Sequence, residues 1–202
     1  MTPLTAGGWK LSTSRGDREA ERLILATPAW EAARLVRPFA RDAADALAGI
    51  PHPFLAVVHM SIPLAALPRP LQGFGHLVVP QEDRRILGAV WSSSLFPGRA
   101  PDGQALVTVF LGGARDSEAA ALSDEQLTAI AARDTASALE AREEPRPVSI
   151  TRYERSIPQY VAGHLTRMEV LAQVESRRPG LAFLGNYRGG ISVGDVVKQA
   201  GL

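Results

Sequence analysis

Cysteine is absent from the 202 residues of this chain, which excludes disulfides, thiolate zinc sites, iron–sulfur clusters and cysteine nucleophiles. A reducing cytoplasm is compatible with that absence. Charge of one sign is also lacking. Twenty-two basic against 21 acidic residues leave a formal net charge of +1, so there is no electrostatic case for nucleic acid or an anionic membrane surface. Long hydrophobic runs are missing too. The greasiest stretch, Pro53 to Leu67, is interrupted by His59, Ser61 and Pro63 and falls short of the ~20 apolar residues of a membrane span. The first ten residues lack a basic region followed by an apolar run, so they do not form a signal peptide. The reading is a soluble protein, cytoplasmic and at most peripheral to a membrane. The four histidines, His52, His59, His76 and His164, lie too far apart for metal-ligand spacing, and no metal is expected.

What is present is an ordinary globular composition, with 46% hydrophobic residues, in a chain long enough for one large domain or two small ones. Trp9 to Ser14 alternates apolar and polar residues. Arg22 to Ala26 reads as a short buried strand, followed by Thr27, which can cap a helix, and Pro28, which suits its first position. Helices are predicted over Ala29–Val36 and Arg41–Ala48. Strands then dominate: Phe54–Ile62, His76–Val79, Ile86–Ser92 and Ala105–Leu111, with a loop over Ser93–Gln104. Ser123-Asp124-Glu125-Gln126 is a capping box that starts a long helix over Ser123–Arg142. A strand over Val148–Tyr153, a helix over His164–Arg177, a strand over Leu181–Leu184 and a last helix from about Val193 complete the pattern. Strand–helix units at both ends, with a strand-rich block between, predict an α/β (α+β) fold whose terminal segments share one sheet.

The segment with most chemistry runs from Leu181 to Asp195. A buried strand enters a turn holding Gly185, Asn186, Gly189 and Gly190, and then a helix start. Glycines permit close approach of backbone to a ligand, and helix-start amides with the positive end of the dipole suit an anion. The same spacing also serves a plain strand–helix connection, with Asp195 favouring the first turn, and spacing alone gives that connection more weight. Ser92-Ser93-Ser94 has no G-x-S-x-G frame and reads as a polar strand end. No complete G-x-G-x-x-G follows any strand.

Taken in order, several motifs resemble the oxygen-dependent protoporphyrinogen and coproporphyrinogen oxidases, members of the FAD-linked amine-oxidase-like superfamily. They are Gly73-Phe74-Gly75-His76-Leu77-Val78-Val79-Pro80, Trp91 to Pro101, Phe110 to Asp116, Pro158-Gln159-Tyr160 with Gly163-His164, and Gly185-Asn186 with Asp195. The resemblance covers the chain from Trp9 onward and corresponds to the family's C-terminal half. It implies flavin-dependent oxidation of a porphyrinogen to the porphyrin, with molecular oxygen as acceptor, in haem biosynthesis. It implies FAD as cofactor, with contacts from Leu165, Gly185, Asn186, Ile191, Ser192, Val193 and Asp195. Leu165 is a departure, since some relatives carry tryptophan there. Arg99 is the candidate for a substrate carboxylate, and no catalytic acid or base is implied.

The resemblance divides the chain into an FAD-domain segment at 1–50, a substrate-binding domain at 51–179 and a C-terminal FAD-domain segment at 180–202. The family's N-terminal glycine loop for the FAD diphosphate is not in the 202 residues, so the expectation is a fragment that is inactive alone. Two other readings stay open: a different flavin amine oxidase or desaturase, or a truncated, non-catalytic protein that binds a tetrapyrrole or a partner chain.

Overall fold

A computed structural model of the chain describes residues 1–5 and 7–201. It divides into two compact units, one of residues 1–52 with 157–202 and the other of residues 53–156.

In the first unit, β1 (Thr2–Pro3), β2 (Trp9–Thr13) and β3 (Gly16–Ala20) form an antiparallel sheet in that order. β4 (Leu23–Leu25) leads into α1 (Ala29–Val36) and α2 (Arg41–Ala48). Alanines dominate the buried sides of both helices, so their axes can approach closely: Ala29, Ala32, Ala33, Ala43 and Ala44 are all buried. Thr27 does not cap α1. The N-cap is Pro28, with no side-chain cap bond.

The second unit is built on alternation. β5 (Leu55–Pro63) buries Ala56, Val58, Met60 and Ile62 and turns the intervening residues to its other face. β6 (Gly75–Leu77), β7 (Ile86–Val90), α3 (Ser92–Leu95) and β8 (Gln104–Gly112) follow. Then come α4 (Asp124–Leu139) and β9 (Arg146–Tyr153). The sheet order is β6-β7-β8-β5-β9, antiparallel throughout. α4 opens on the expected capping box, in which Ser123 Oγ accepts from Gln126 N and Gln126 Oε1 from Ser123 N. It packs against one sheet face through Leu127, Ala131 and Leu139. The buried carboxylate of Asp134 accepts from the backbone N–H of Arg85 at 2.6 Å and of Ile86 at 3.3 Å, which fastens the helix to the start of β7.

The chain returns to the first unit with α5 (His164–Arg177), β10 (Leu181–Phe183) and α6 (Val193–Gln199). β10 pairs with β4 in parallel, Leu23 opposite Leu181 and Leu25 opposite Phe183, as the terminal strand–helix pattern predicts. Residues 157–179, expected with the middle segment, sit instead with the terminal ones. Leu171 and Val174 of α5 are buried in the same cluster as Ala33, Val36 and Leu47, and that packing sets the division. Two further expectations are corrected. The polar run at 92–95 is a helical turn, and the strand before it ends at Val90.

Candidate functional site

The parallel pair of β4 and β10 sends two loops from the carboxyl ends of its strands, the usual place for a ligand crevice in a parallel sheet. One loop carries Thr27, whose Oγ1 is enclosed and has no hydrogen-bond partner. The other is the turn at 185–190, which delivers the chain into α6.

Side chains from the segment before α5 hold that turn. Tyr160 Oη donates to Asn186 O at 2.7 Å and accepts from Gly190 N at 3.1 Å, so one phenol closes the turn across its mouth. His164 Nε2 lies 2.9 Å from Tyr187 O, and its ring stacks on Tyr160 at 4.0 Å between centroids. Arg188 and Glu175 form a bidentate pair, with 2.8 Å between Nη2 and Oε2. Arg188 also donates to Phe183 O, and Glu175 accepts from Phe183 N. The hydrogen bond from Arg188 to Glu175 holds the guanidinium above its ordinary value. Tyr187 is fully buried with its hydroxyl unpartnered, and burial pushes its phenol up. The Pro158-Gln159-Tyr160 and Gly163-His164 motif is thus the clamp on the Gly185–Gly190 turn. The sequence carried both motifs, and nothing in their spacing linked them.

The sequence-derived cofactor residues divide by what their atoms are free to do. Ser192 and Asp195 bind each other: Asp195 Oδ2 accepts from Ser192 N and Oγ, and Ser192 Oγ accepts from Asp195 N. Those hydrogen bonds hold the Asp195 carboxyl below its usual range, and its role is to cap α6. Asn186 O is taken by Tyr160. Ile191 and Val193 flank the helix start with apolar side chains, Val193 82% exposed, and the first amides of α6 have no carbonyl one turn behind them. Leu165, in the first turn of α5, is 77% exposed. Arg99 lies in the second unit, its guanidinium 5.5 Å from the Phe96 ring centroid.

In that second unit, the sheet face opposite α4 carries Val57, His59, Ser61, Thr108 and Phe110, all half-buried, and among the described residues α3 meets it at Thr108, where Ser92 Oγ lies 2.7 Å from Thr108 Oγ1. Gly75 and Gly88 pair with Val90 and Leu77 in β6 and β7 at φ +155° and +150°. A Cβ at either would stand 2.1 to 2.3 Å from a carbonyl of the neighbouring strand, so only glycine serves and no side chain rises there. Leu77, 87% exposed, borders this floor. His76 points the other way, level with buried Ala89. Neither ring nitrogen has a partner, and burial holds its pKa below the ordinary value.

A family model described as flavin containing amine oxidoreductase matches residues 4–200. The chain belongs to this family. Among curated proteins it is 34% identical to protoporphyrinogen oxidase of Bos taurus over 96% of this chain and 41% of that one. It is 30% identical to the chloroplastic protoporphyrinogen oxidase of Nicotiana tabacum, over 99% and 39%. The chain therefore spans about two fifths of the length of the curated relatives it matches. Among solved structures, a candidate protoporphyrinogen oxidase from Exiguobacterium superposes with a TM-score of 0.78 at 24% identity, over 96% of this chain and 42% of that one. A putrescine oxidase variant superposes at 0.71 with 16% identity, over 97% and 44%. These structural likenesses establish the FAD-linked amine-oxidase-like α/β fold, and family membership brings FAD as the cofactor.

The first unit's residues fit one flank of that cofactor. The backbone amides and exposed apolar side chains at Ile191 and Val193 offer a rim of donors and apolar contact where a ring edge can rest. Among the described residues no group of His, Asp or Glu could hold a metal ion, and no helix is long and apolar enough to cross a membrane.

Proposed function

We propose that this chain carries the substrate domain and the C-terminal cofactor segments of a flavin-dependent porphyrinogen oxidase. The observation that carries the reading is the open sheet face of the second unit. Its floor lacks side chains at Gly75 and Gly88 and is bordered by Leu77 and Phe110. That shape receives a flat, apolar ring system, and the curated relatives named protoporphyrinogen oxidase supply the chemical identity.

Bound FAD would supply the two-electron redox chemistry, with oxygen as the acceptor that is reduced to peroxide. Everything else falls to the chain. Tyr160 and His164 hold the 185–190 turn so that the amides at Ile191 and Val193 are presented in fixed directions, where they favour negative charge, while Ser192 acts through its cap with Asp195. Gly185, Asn186 and Asp195 act through the shape of that turn and its helix start, and Leu165 provides an apolar contact. Phe110, Val57 and Leu77 exclude water from the ring. Arg99 meets a substrate carboxylate from its loop. Protoporphyrinogen IX is the favoured substrate over coproporphyrinogen III, in a cytoplasmic or membrane-peripheral setting.

The test is a flavin-loaded protein containing this chain together with the polypeptide that binds the FAD diphosphate. Porphyrin fluorescence and peroxide are followed with each porphyrinogen, and peroxide with putrescine. Porphyrin and peroxide appearing together support the reading. Peroxide from the amine and none from either porphyrinogen would overturn it in favour of an amine oxidase.

A further inference from the structure

The open face of the second unit changes character along its strands. Registered pairs share a face, so its rows can be read across the sheet. One row is apolar as far as the edge strand: Leu77 beside Gly88, Gly88 beside Phe110, Phe110 beside Val57, and then Thr151 on β9. The next holds Val90, Thr108, His59 and Ser149. The third holds Leu106, Ser61 and Arg146. Rows lie about 7 Å apart, two residues along a strand. The face thus runs from grease to polarity within the width of one flat macrocycle.

The polar rows are organised. Ser92 Oγ lies 2.7 Å from Thr108 Oγ1, and Thr108 Oγ1 lies 2.9 Å from His59 Nδ1, a chain of three groups linking α3, β8 and β5. With Nδ1 engaged by Thr108, the ring turns Nε2 outward, where it is not enclosed and has no partner among the described residues. Ser61 Oγ donates to Gln104 Oε1 at 2.9 Å in the neighbouring row. Arg146 stands opposite Ser61 on the edge strand, exposed, with no hydrogen bond or ion pair among the described residues. Neighbouring arginines of this unit are engaged: Arg85 with Asp116, Arg133 with Asp134, Arg152 with Asp124. A half-buried histidine held by two hydroxyls, beside an unpaired guanidinium at the end of an apolar shelf, is a donor set for a carboxylate.

We propose that Arg146 and His59 form the carboxylate-recognition site of this chain, seating the acidic side chains on one edge of a flat tetrapyrrole whose ring lies over Val57 and Phe110. Thr108 and Ser92 are positioning residues that hold the orientation of the His59 ring. The site rests on the porphyrinogen reading and deepens it, because it says which edge of the macrocycle is read and by which residues.

The experiment titrates the purified chain with three ligands, followed by quenching of tryptophan fluorescence: tetracarboxylate coproporphyrin III, dicarboxylate protoporphyrin IX, and the dimethyl ester of the latter. Wild type, Arg146→Gln, His59→Gln and Arg99→Ala are compared. Arg146 is exposed on an edge strand, so its variant tests the site without risk to the core. The expected result is a Kd for coproporphyrin III about tenfold weaker in Arg146→Gln, as for one lost charge-assisted contact, and several-fold weaker in His59→Gln. The ester should be nearly unaffected. Equal losses for acid and ester, no loss, or a loss confined to Arg99→Ala would overturn the site and leave the porphyrinogen reading standing. Failure of all three ligands to bind wild-type chain would count against that reading and remove the site with it.

Discussion

Tyr160 illustrates how much one hydroxyl can organise. It is 44% exposed, yet it bridges the carbonyl of Asn186 and the amide of Gly190 and so closes the turn from which α6 departs. Tyr160→Phe keeps the ring stacked on His164 and deletes only the bridge. It should cost about 1 kcal/mol in chemical denaturation and weaken FAD affinity in flavin-fluorescence titration of the cofactor-binding protein. Unchanged affinity would detach the clamp from the cofactor. Asp134 makes the opposite case, a buried carboxylate with structural duty alone. Asp134→Ala strips the N–H groups of Arg85 and Ile86 of their acceptor, and a loss of about 2–4 kcal/mol is expected in urea unfolding. His76 supplies a pH dependence. Burial, and then the nearby Arg84, hold its folded pKa below the unfolded value of about 6.5. The unfolded chain therefore takes up the proton first, and the stability conferred by the neutral ring is present above pH ~6.5 and lost as pH falls through the folded pKa. Urea midpoints measured from about pH 7.5 down to about 5 should fall less steeply in His76→Phe than in wild type.

At the scale of elements, legibility follows whether the determinant is local. Ser123 and Gln126 sit three apart and cap each other, so the start of α4 could be read directly. The apolar run read as a strand over Phe54–Ile62 is β5, displaced by one residue, and its alternation of buried and half-buried residues follows from a sheet with one covered face. β3, Gly16-Asp-Arg-Glu-Ala20, has no apolar pattern because it pairs with β2 while both faces stay wet, and it was legible only as the far side of a turn. Ser92, Ser93 and Ser94, with Leu95, form a helical turn because β7 ends at Val90 and Ser93 Oγ then accepts from Leu106 N, a contact 13 residues away in sequence. The site divides along the same line. Ile191, Ser192 and Val193 announce a helix start by residue type. The Tyr160–Asn186 and His59–Thr108 bonds join residues 26 and 49 apart, beyond any spacing rule.

At the scale of the molecule, the parallel pair β4–β10 is two strands wide, and Ile24 at its centre is 63% exposed. Parallel sheets are ordinarily covered on both faces. The chain alone offers one flank of a cofactor site, so after incubation with FAD and gel filtration it should retain flavin well below stoichiometric amounts. Stoichiometric retention would mean the flank suffices.

The central claim is that the open face of residues 53–156 seats a flat tetrapyrrole, and Trp91, the residue that follows β7 of that sheet, can report it by energy transfer to the bound ring. In the chain with Trp9 and Trp30 replaced by phenylalanine, Trp91 is the sole indole. Titration with protoporphyrin IX should quench its fluorescence saturably. Leu77→Asp places a charge on the border of the floor at a position already 87% exposed, and so spares the fold. It should weaken that binding by about tenfold or more. Quenching that never saturates, or saturates equally well in Leu77→Asp, would contradict the account.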